Sequence, residues 1–388
     1  MVSALPPTRP STLLIGSCEA FGGKSAVVLG LLRQLLSAGA DVHYGKPLAT
    51  SVEGQIQPDV APPDDRPLDD RVLDDRLLDD DVQFIGSILG LQPDRLLPSL
   101  QQLSAASARS RLLEPQPSEA DVLALEAVRA QLAALDPGAT VLLEAAGTLA
   151  EGLLYGLSLV QLAQGLDAPV LLVHPWSDAR SIEPLLEAKA QLGELLVGVV
   201  LNGVQPDAVA TVRDEIGAAL GRFGIPLCGV LPRSPLLRSV TVEELVTRLE
   251  ARVLCCHDRL DLLVETLSIG AMNVNAAMEF FRRRRNMAVV TGADRTDIQL
   301  AALEASTQCL ILTGVGEPLP QLINRAEELD VPLLRVDHDT LTTVEVIERA
   351  FGHVRLHEGV KATYAIRLVE ENCDFAPVLA CLGRQRTP

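Results

Sequence analysis

Short apolar runs alternate along the chain with longer segments whose apolar positions recur every third or fourth residue. Thr12–Ile15, Asp41–Tyr44, Thr140–Leu143, Pro169–Val173, Leu196–Leu201 and Pro226–Leu231 read as strands, with amphipathic helices between them. The runs are dense in Val, Leu and Ile, as strands buried on both faces require. Alternation of this kind predicts right-handed βαβ crossovers, so the expected fold is α/β: a doubly wound, mostly parallel sheet covered by helices on both faces.

From Arg252 to Asn286 the pattern reads as helix without strands and closes in Arg282-Arg283-Arg284-Arg285, a run that suits the carbonyl end of a helix or, alternatively, an anion or partner site. Beyond it, Met287–Thr291, Cys309–Thr313 and Pro332–Val336 read as strands, each followed by a helical pattern. The expected organisation is a first domain over 1–250, a helical linker over 251–286 and a smaller α/β domain over 287–388. Asp64–Asp81 breaks the pattern, repeating DDRPL, DDRVL, DDRLL and DDD with a period of five. That period fits neither helix nor strand, so 64–81 is expected to be a mobile, solvated surface insertion, or alternatively an acidic docking tract or divalent-ion trap.

A length of 388 residues calls for two cores, and 48% apolar with only 3% aromatic residues means that burial rests on aliphatic side chains. The net charge of −18 opposes binding to nucleic acid or to an anionic membrane surface. Seven cysteines without CxxC spacing read as reduced core thiols, which favours a cytoplasmic setting. Met1–Pro10 has no signal-peptide pattern, and Leu153–Val173 is interrupted by Gln161, Gln164, Asp167 and Pro169, so no membrane crossing is expected.

Candidate chemistry begins at the first predicted strand. Thr12–Ile15 runs into Gly16-Ser-Cys-Glu-Ala-Phe-Gly22-Gly23-Lys24-Ser25 and then into the apolar segment Ala26–Leu36. Backbone amides of a glycine loop at a helix start, followed by a lysine and a hydroxyl, suit a nucleoside triphosphate with Mg²⁺. Lys24 would bridge the β and γ phosphates and Ser25 would hold the metal. The strict spacing asks for glycine where Cys18 stands, so the loop is irregular.

From about Thr12 to Leu245 the chain resembles dethiobiotin synthetase, and more closely the related N-terminal region of long-form phosphate acetyltransferases. Gly45-Lys46-Pro47 follows the second strand, where the family carries a Lys-Pro pair whose lysine reaches phosphate. Val141-Leu-Leu-Glu144-Ala-Ala-Gly147 occupies the place of an acidic, glycine-rich strand end, which implies Glu144 as a second metal ligand. Asn202-Gly203 and the loop after Pro232 match segments that border the adenine base in the family. Ala288–Glu304 resembles the DRTGG domain, with Asp294, Arg295 and Thr296 at its first strand–helix turn and Asp297-Ile298 in place of the two glycines. Those three residues are candidates for a regulatory ligand. Arg295 stands out, because capping a helix does not require a guanidinium.

The resemblance implies an ATP- and Mg²⁺-binding regulatory protein that reports to a protein partner and is a homodimer by family analogy. The alternative it implies is an ATP-dependent ligase in which Lys24 and Lys46 neutralise a transferred phosphoryl group. About 35 residues follow the DRTGG-like part, so acetyltransferase chemistry is not expected.

Overall fold

All six apolar runs of the first domain form strands, and a seventh joins them. They are β1 (Ser11–Gly16), β2 (Val42–Gly45), β3 (Leu96–Leu97), β4 (Thr140–Glu144), β5 (Val170–Pro175), β6 (Leu196–Val204) and β7 (Leu227–Pro232). The computed structural model describes residues 10–50, 77–113, 117–270 and 274–383. The seven strands lie in the order β3-β2-β4-β1-β5-β6-β7, and every pairing is parallel. Because side chains alternate across a strand, Leu14, Val141, Leu143, Leu172, Val199 and Leu201 share one face and pack with the helices Pro117–Ala133, Leu159–Leu166 and Glu183–Leu192. The opposite face receives α1 (Lys24–Ser37), which contacts β1, β2, β4 and β5. The order of connections reverses at β1, where the chain goes first to one side and later to the other. In open parallel sheets the crevice beyond such a strand's carboxyl end is where ligands bind.

The chain divides into two units, one of Met1–Arg233 with Leu356–Pro388 and one of Ser234–Arg355. This differs from the expected division at both ends. The helix Gly359–Asn372 belongs to the first unit and packs along α1, burying Ala362, Ala365, Leu368 and Val369. Val369 lies against Gly30 so closely that a Cβ there would stand 2.3 Å from Val369 Cγ1. The segment Ser234–Glu250 belongs instead to the second unit, where Val242, Leu245 and Leu249 are core residues.

The second unit holds β8 (Arg252–Cys255), β9 (Thr266–Ile269), β10 (Met287–Gly292), β11 (Thr307–Thr313) and β12 (Leu333–Arg335) in the order β8-β12-β11-β10-β9. Only β8 runs antiparallel to its neighbour. The expectation of a strand-free helical linker over 251–286 is therefore corrected. β8 and β9 are the two edge strands, and four residues each leave too little length for alternation to show. The arginine run closes the helix Val274–Arg282. Arg284 lies over the Phe280 ring at 4.5 Å and donates to the Leu267 carbonyl at 2.9 Å.

Of the acidic repeat, residues 64–76 lie outside the described residues, but its end does not. Asp79 caps α2 (Asp80–Leu89), accepting from the Asp81 amide at 2.9 Å. Asp79 and Asp81 are 0% and 7% exposed, so the solvated insertion expected over 64–81 ends in buried charge. All seven cysteines are free, and burial pushes the thiols of Cys18, Cys228, Cys309 and Cys373 up to about 12. Among the described residues no helix is long and apolar enough to cross a membrane.

Candidate nucleotide site

The loop after β1 leaves the sheet at the carboxyl end of its switch-point strand and delivers the chain into α1. Two glycines make the turn possible. Gly23 has φ 96°, left-handed backbone that side chains rarely adopt, and a Cβ on it would lie 2.2 Å from Asn202 Nδ2. A Cβ on Gly22 would meet Ser17 Oγ at 2.3 Å and the Val173 carbonyl at 3.0 Å. Asn202, near the end of β6, donates from Nδ2 to the Gly22 carbonyl at 3.0 Å. No side chain caps the start of α1, so its first amides keep the unmet hydrogen-bonding capacity and positive potential that attract an anion.

Lys24 is the first residue of α1 and is half-buried. Among the described residues it has no hydrogen-bond or ion-pair partner. Burial lowers its pKa; the charge of Glu144 opposes that fall, and the neighbouring ammonium of Lys46 adds to it. A desolvated cation without a counter-charge is unstable relative to one that has gained an anion.

Lys46 is arranged in the opposite way. It follows β2, is 4% exposed, and its ammonium reaches Asp79 at 3.1 Å and Glu144 at 3.9 Å, with Asp81 hydrogen-bonded to it. Burial by itself would lower its pKa, but Glu144, Asp81 and Asp79 outweigh that and hold it above the ordinary lysine range. Glu144 closes the group by accepting from Tyr44 Oη at 2.7 Å, and burial beside that carboxylate pushes the phenol well up. Asp81 also meets His357 Nε2 at 2.8 Å, from the segment that returns to this unit. One ammonium thus faces three carboxylates.

The structure brings Gly22, Gly23 and Asn202 together in one contact and Lys24, Lys46 and Glu144 within one another's field. Ser25 is half-buried in the first turn of α1, beside Lys24. Pro232 ends β7, paired with Val204 two residues beyond Asn202. Asp79, Asp81, Tyr44 and His357 were not anticipated from the sequence. The available signal was an aspartate directly before the apolar pattern of Val82–Leu89, which marks a helix start rather than the end of a solvated repeat.

The donor chemistry fits Mg²⁺, which takes hard oxygens: Glu144 and Ser25 supply a carboxylate and a hydroxyl. Among the described residues no group of three or more His, Cys, Asp or Glu is arranged as a ready metal cage. Mg²⁺ bound through one or two protein oxygens, with the rest from phosphate and water, needs no such cage.

In the second unit Arg295 stands just before the helix Thr296–Leu303 and pairs with Asp297 at 3.4 Å. Asp294 is exposed and Thr296 half-buried, and no side chain caps that helix.

Residues 11–241, more than half of the chain, match the AAA domain family. The chain belongs to that family. Its AAA domain therefore begins at β1 and includes the glycine loop, Lys46, Glu144, Asn202 and Pro232. Residues 244–350 match the DRTGG domain. The AAA-domain chain is related to phosphate acetyltransferases. That of Synechocystis sp. is 27% identical over 244 residues, 58% of this chain and 34% of the relative. That of Pseudomonas aeruginosa is 23% identical over 380 residues, 91% of this chain and 49% of the relative. The chain thus spans about a third to a half of these curated relatives. Among solved structures it is similar to the signal recognition particle receptor FtsY from Elizabethkingia anophelis, with TM-score 0.34 and 14% identity over 58% of this chain and 60% of that one. It is also similar to the CBS and DRTGG domains of the regulatory region of Clostridium perfringens pyrophosphatase, solved with its activator diadenosine tetraphosphate. There the TM-score is 0.28, with 15% identity over 39% of this chain and 74% of that one.

Proposed function

We propose that the protein is a cytoplasmic regulator that binds an adenine nucleotide with Mg²⁺ in its AAA domain, and that the DRTGG domain reads a second ligand at Asp294, Arg295 and Thr296. The observation that carries this reading is the half-buried Lys24, unpaired among the described residues, at the uncapped start of α1 behind a two-glycine turn. Lys24 would meet the β and γ phosphates, and Ser25 with Glu144 would hold the metal. The loop after Pro232 would lie along the nucleoside end, and a protein partner would read the bound state. Binding is favoured over phosphoryl transfer by the commitment of Lys46 to Asp79, Asp81 and Glu144. A ligase would need that lysine for the transferred group.

Titration calorimetry with Mg-ATP tests the reading. Wild type is expected to give saturable heat, and Lys24→Ala to lose it, a weakening of at least tenfold, with an unchanged melting temperature. Absence of heat with wild type, or unchanged affinity in the variant, would overturn it. ADP release that appears only with a small amine or carboxylate present would favour the ligase instead.

A further inference from the structure

We infer that Asn202 is a positioning residue for the phosphate loop, acting on the nucleotide's phosphates through the backbone rather than by reading the base. The inference rests on the nucleotide-binding role proposed above and concerns how that site is held open.

The peptide joining Gly22 to Gly23 is planar and trans, so its carbonyl and its N–H point in opposite directions. Asn202 Nδ2 holds the Gly22 carbonyl at 3.0 Å, and the Gly23 N–H is therefore turned away from Asn202. Left free, that peptide could rotate and present a carbonyl oxygen to an incoming phosphate, which repels it. The surroundings are built for the fixed orientation. Ser17 Oγ and the Val173 carbonyl crowd Gly22, and the Asn202 Nδ2 approaches Gly23 end-on, leaving no room for a Cβ at either glycine. Asn202 is itself fixed by the sheet. Its carbonyl accepts from the Trp176 amide at 2.7 Å, and β6 pairs it with Pro175 on one side and Leu231 on the other. A loop with cysteine at the position where the usual spacing has glycine gains an external brace in this way. The cost of ordering the loop is met before the ligand arrives.

The discriminating experiment compares a ligand with a base and one without. Displacement of a fluorescent ATP analogue by ATP and by inorganic tripolyphosphate, both with Mg²⁺, is measured on the full chain for wild type, Asn202→Ala and Asn202→Asp. The expected result is a parallel loss of about tenfold for both ligands in Asn202→Ala, as for one lost hydrogen bond of about 1.4 kcal/mol. A larger parallel loss is expected in Asn202→Asp, which keeps the shape but cannot donate to the Gly22 carbonyl. Loss for ATP with tripolyphosphate unaffected would make Asn202 a base reader and overturn the inference, as would no loss for either. If wild type binds ATP but is not displaced by tripolyphosphate, the phosphate loop does not carry the binding and the inference also falls. If wild type binds no nucleotide at all, the proposed function itself has failed. Should Asn202→Ala not fold, by thermal melting, Asn202→Ser carries the same comparison.

Discussion

Two lysines near one sheet edge have opposite electrostatic fates, and each makes a separate prediction. Lys46 is a buried cation satisfied by buried anions. Removing it as Lys46→Met strands Asp79, Asp81 and Glu144 and is expected to cost about 3–5 kcal/mol in urea denaturation. Because the pKa of Lys46 is raised in the folded protein, its contribution is complete below the ordinary lysine value of 10.5 and is lost as pH rises through the raised one. The gap between wild type and variant should therefore be flat through neutral pH and close only in strong alkali. Lys24 has a lowered pKa, so it loses its proton before a free lysine would. Nucleotide affinity should start to fall as pH rises while still below 10.5, the ordinary lysine value. Lys24→Ala should abolish that slope, and calorimetry across pH reads it directly.

Among the elements, α1 and the helix Gly359–Asn372 form the contact on which the first unit closes. Gly30→Leu forces side-chain bulk into Val369 and is expected to destabilise by about 1–3 kcal/mol. Gly221→Ala, with open space around it in the helix Gly217–Arg222, should be neutral or stabilising by up to about 1 kcal/mol. Urea midpoints of the two variants should move in opposite directions, or only the first should move. The pattern along the chain predicted six of the seven strands of this sheet, because a strand buried on both faces announces itself as a continuous apolar run. It could not predict β3, two residues long, or the edge strands β8 and β9. The cover over α1 was partly visible. Ala26-Val-Val-Leu-Gly-Leu-Leu and Leu35 are buried around the whole circumference, and a helix apolar on all sides asks for a neighbour on the side away from the sheet. Which segment would supply it could not be read, since the partner lies more than three hundred residues away. The site divides along the same line. The loop residues Gly22–Ser25 are contiguous and legible, whereas Asp79, Asp81 and His357 reach Lys46 only through tertiary structure.

For the whole molecule, the division into units predicts what can be cut. A protein ending at residue 250, the boundary suggested by the sequence, keeps the glycine loop but lacks the helix Gly359–Asn372 and divides the second unit. It should fail to give a cooperative melt. Replacing Ser234–Arg355 by a flexible glycine-serine linker keeps every contact of the first unit, and that protein should melt cooperatively and bind Mg-ATP within a few-fold of the full chain. Equal behaviour of the two cut proteins would mean that the C-terminal helix is dispensable.

The helix Gly359–Asn372 also sets a timetable. A chain made from its N-terminus has the whole of Ser234–Arg355 outside the ribosome before that helix emerges. The intervening unit can therefore fold first, while the outer side of α1 stays wet and open to any chaperone that recognises aliphatic surface. On the proposed function, competence to hold a nucleotide would arrive late in biosynthesis, when that helix is laid on α1.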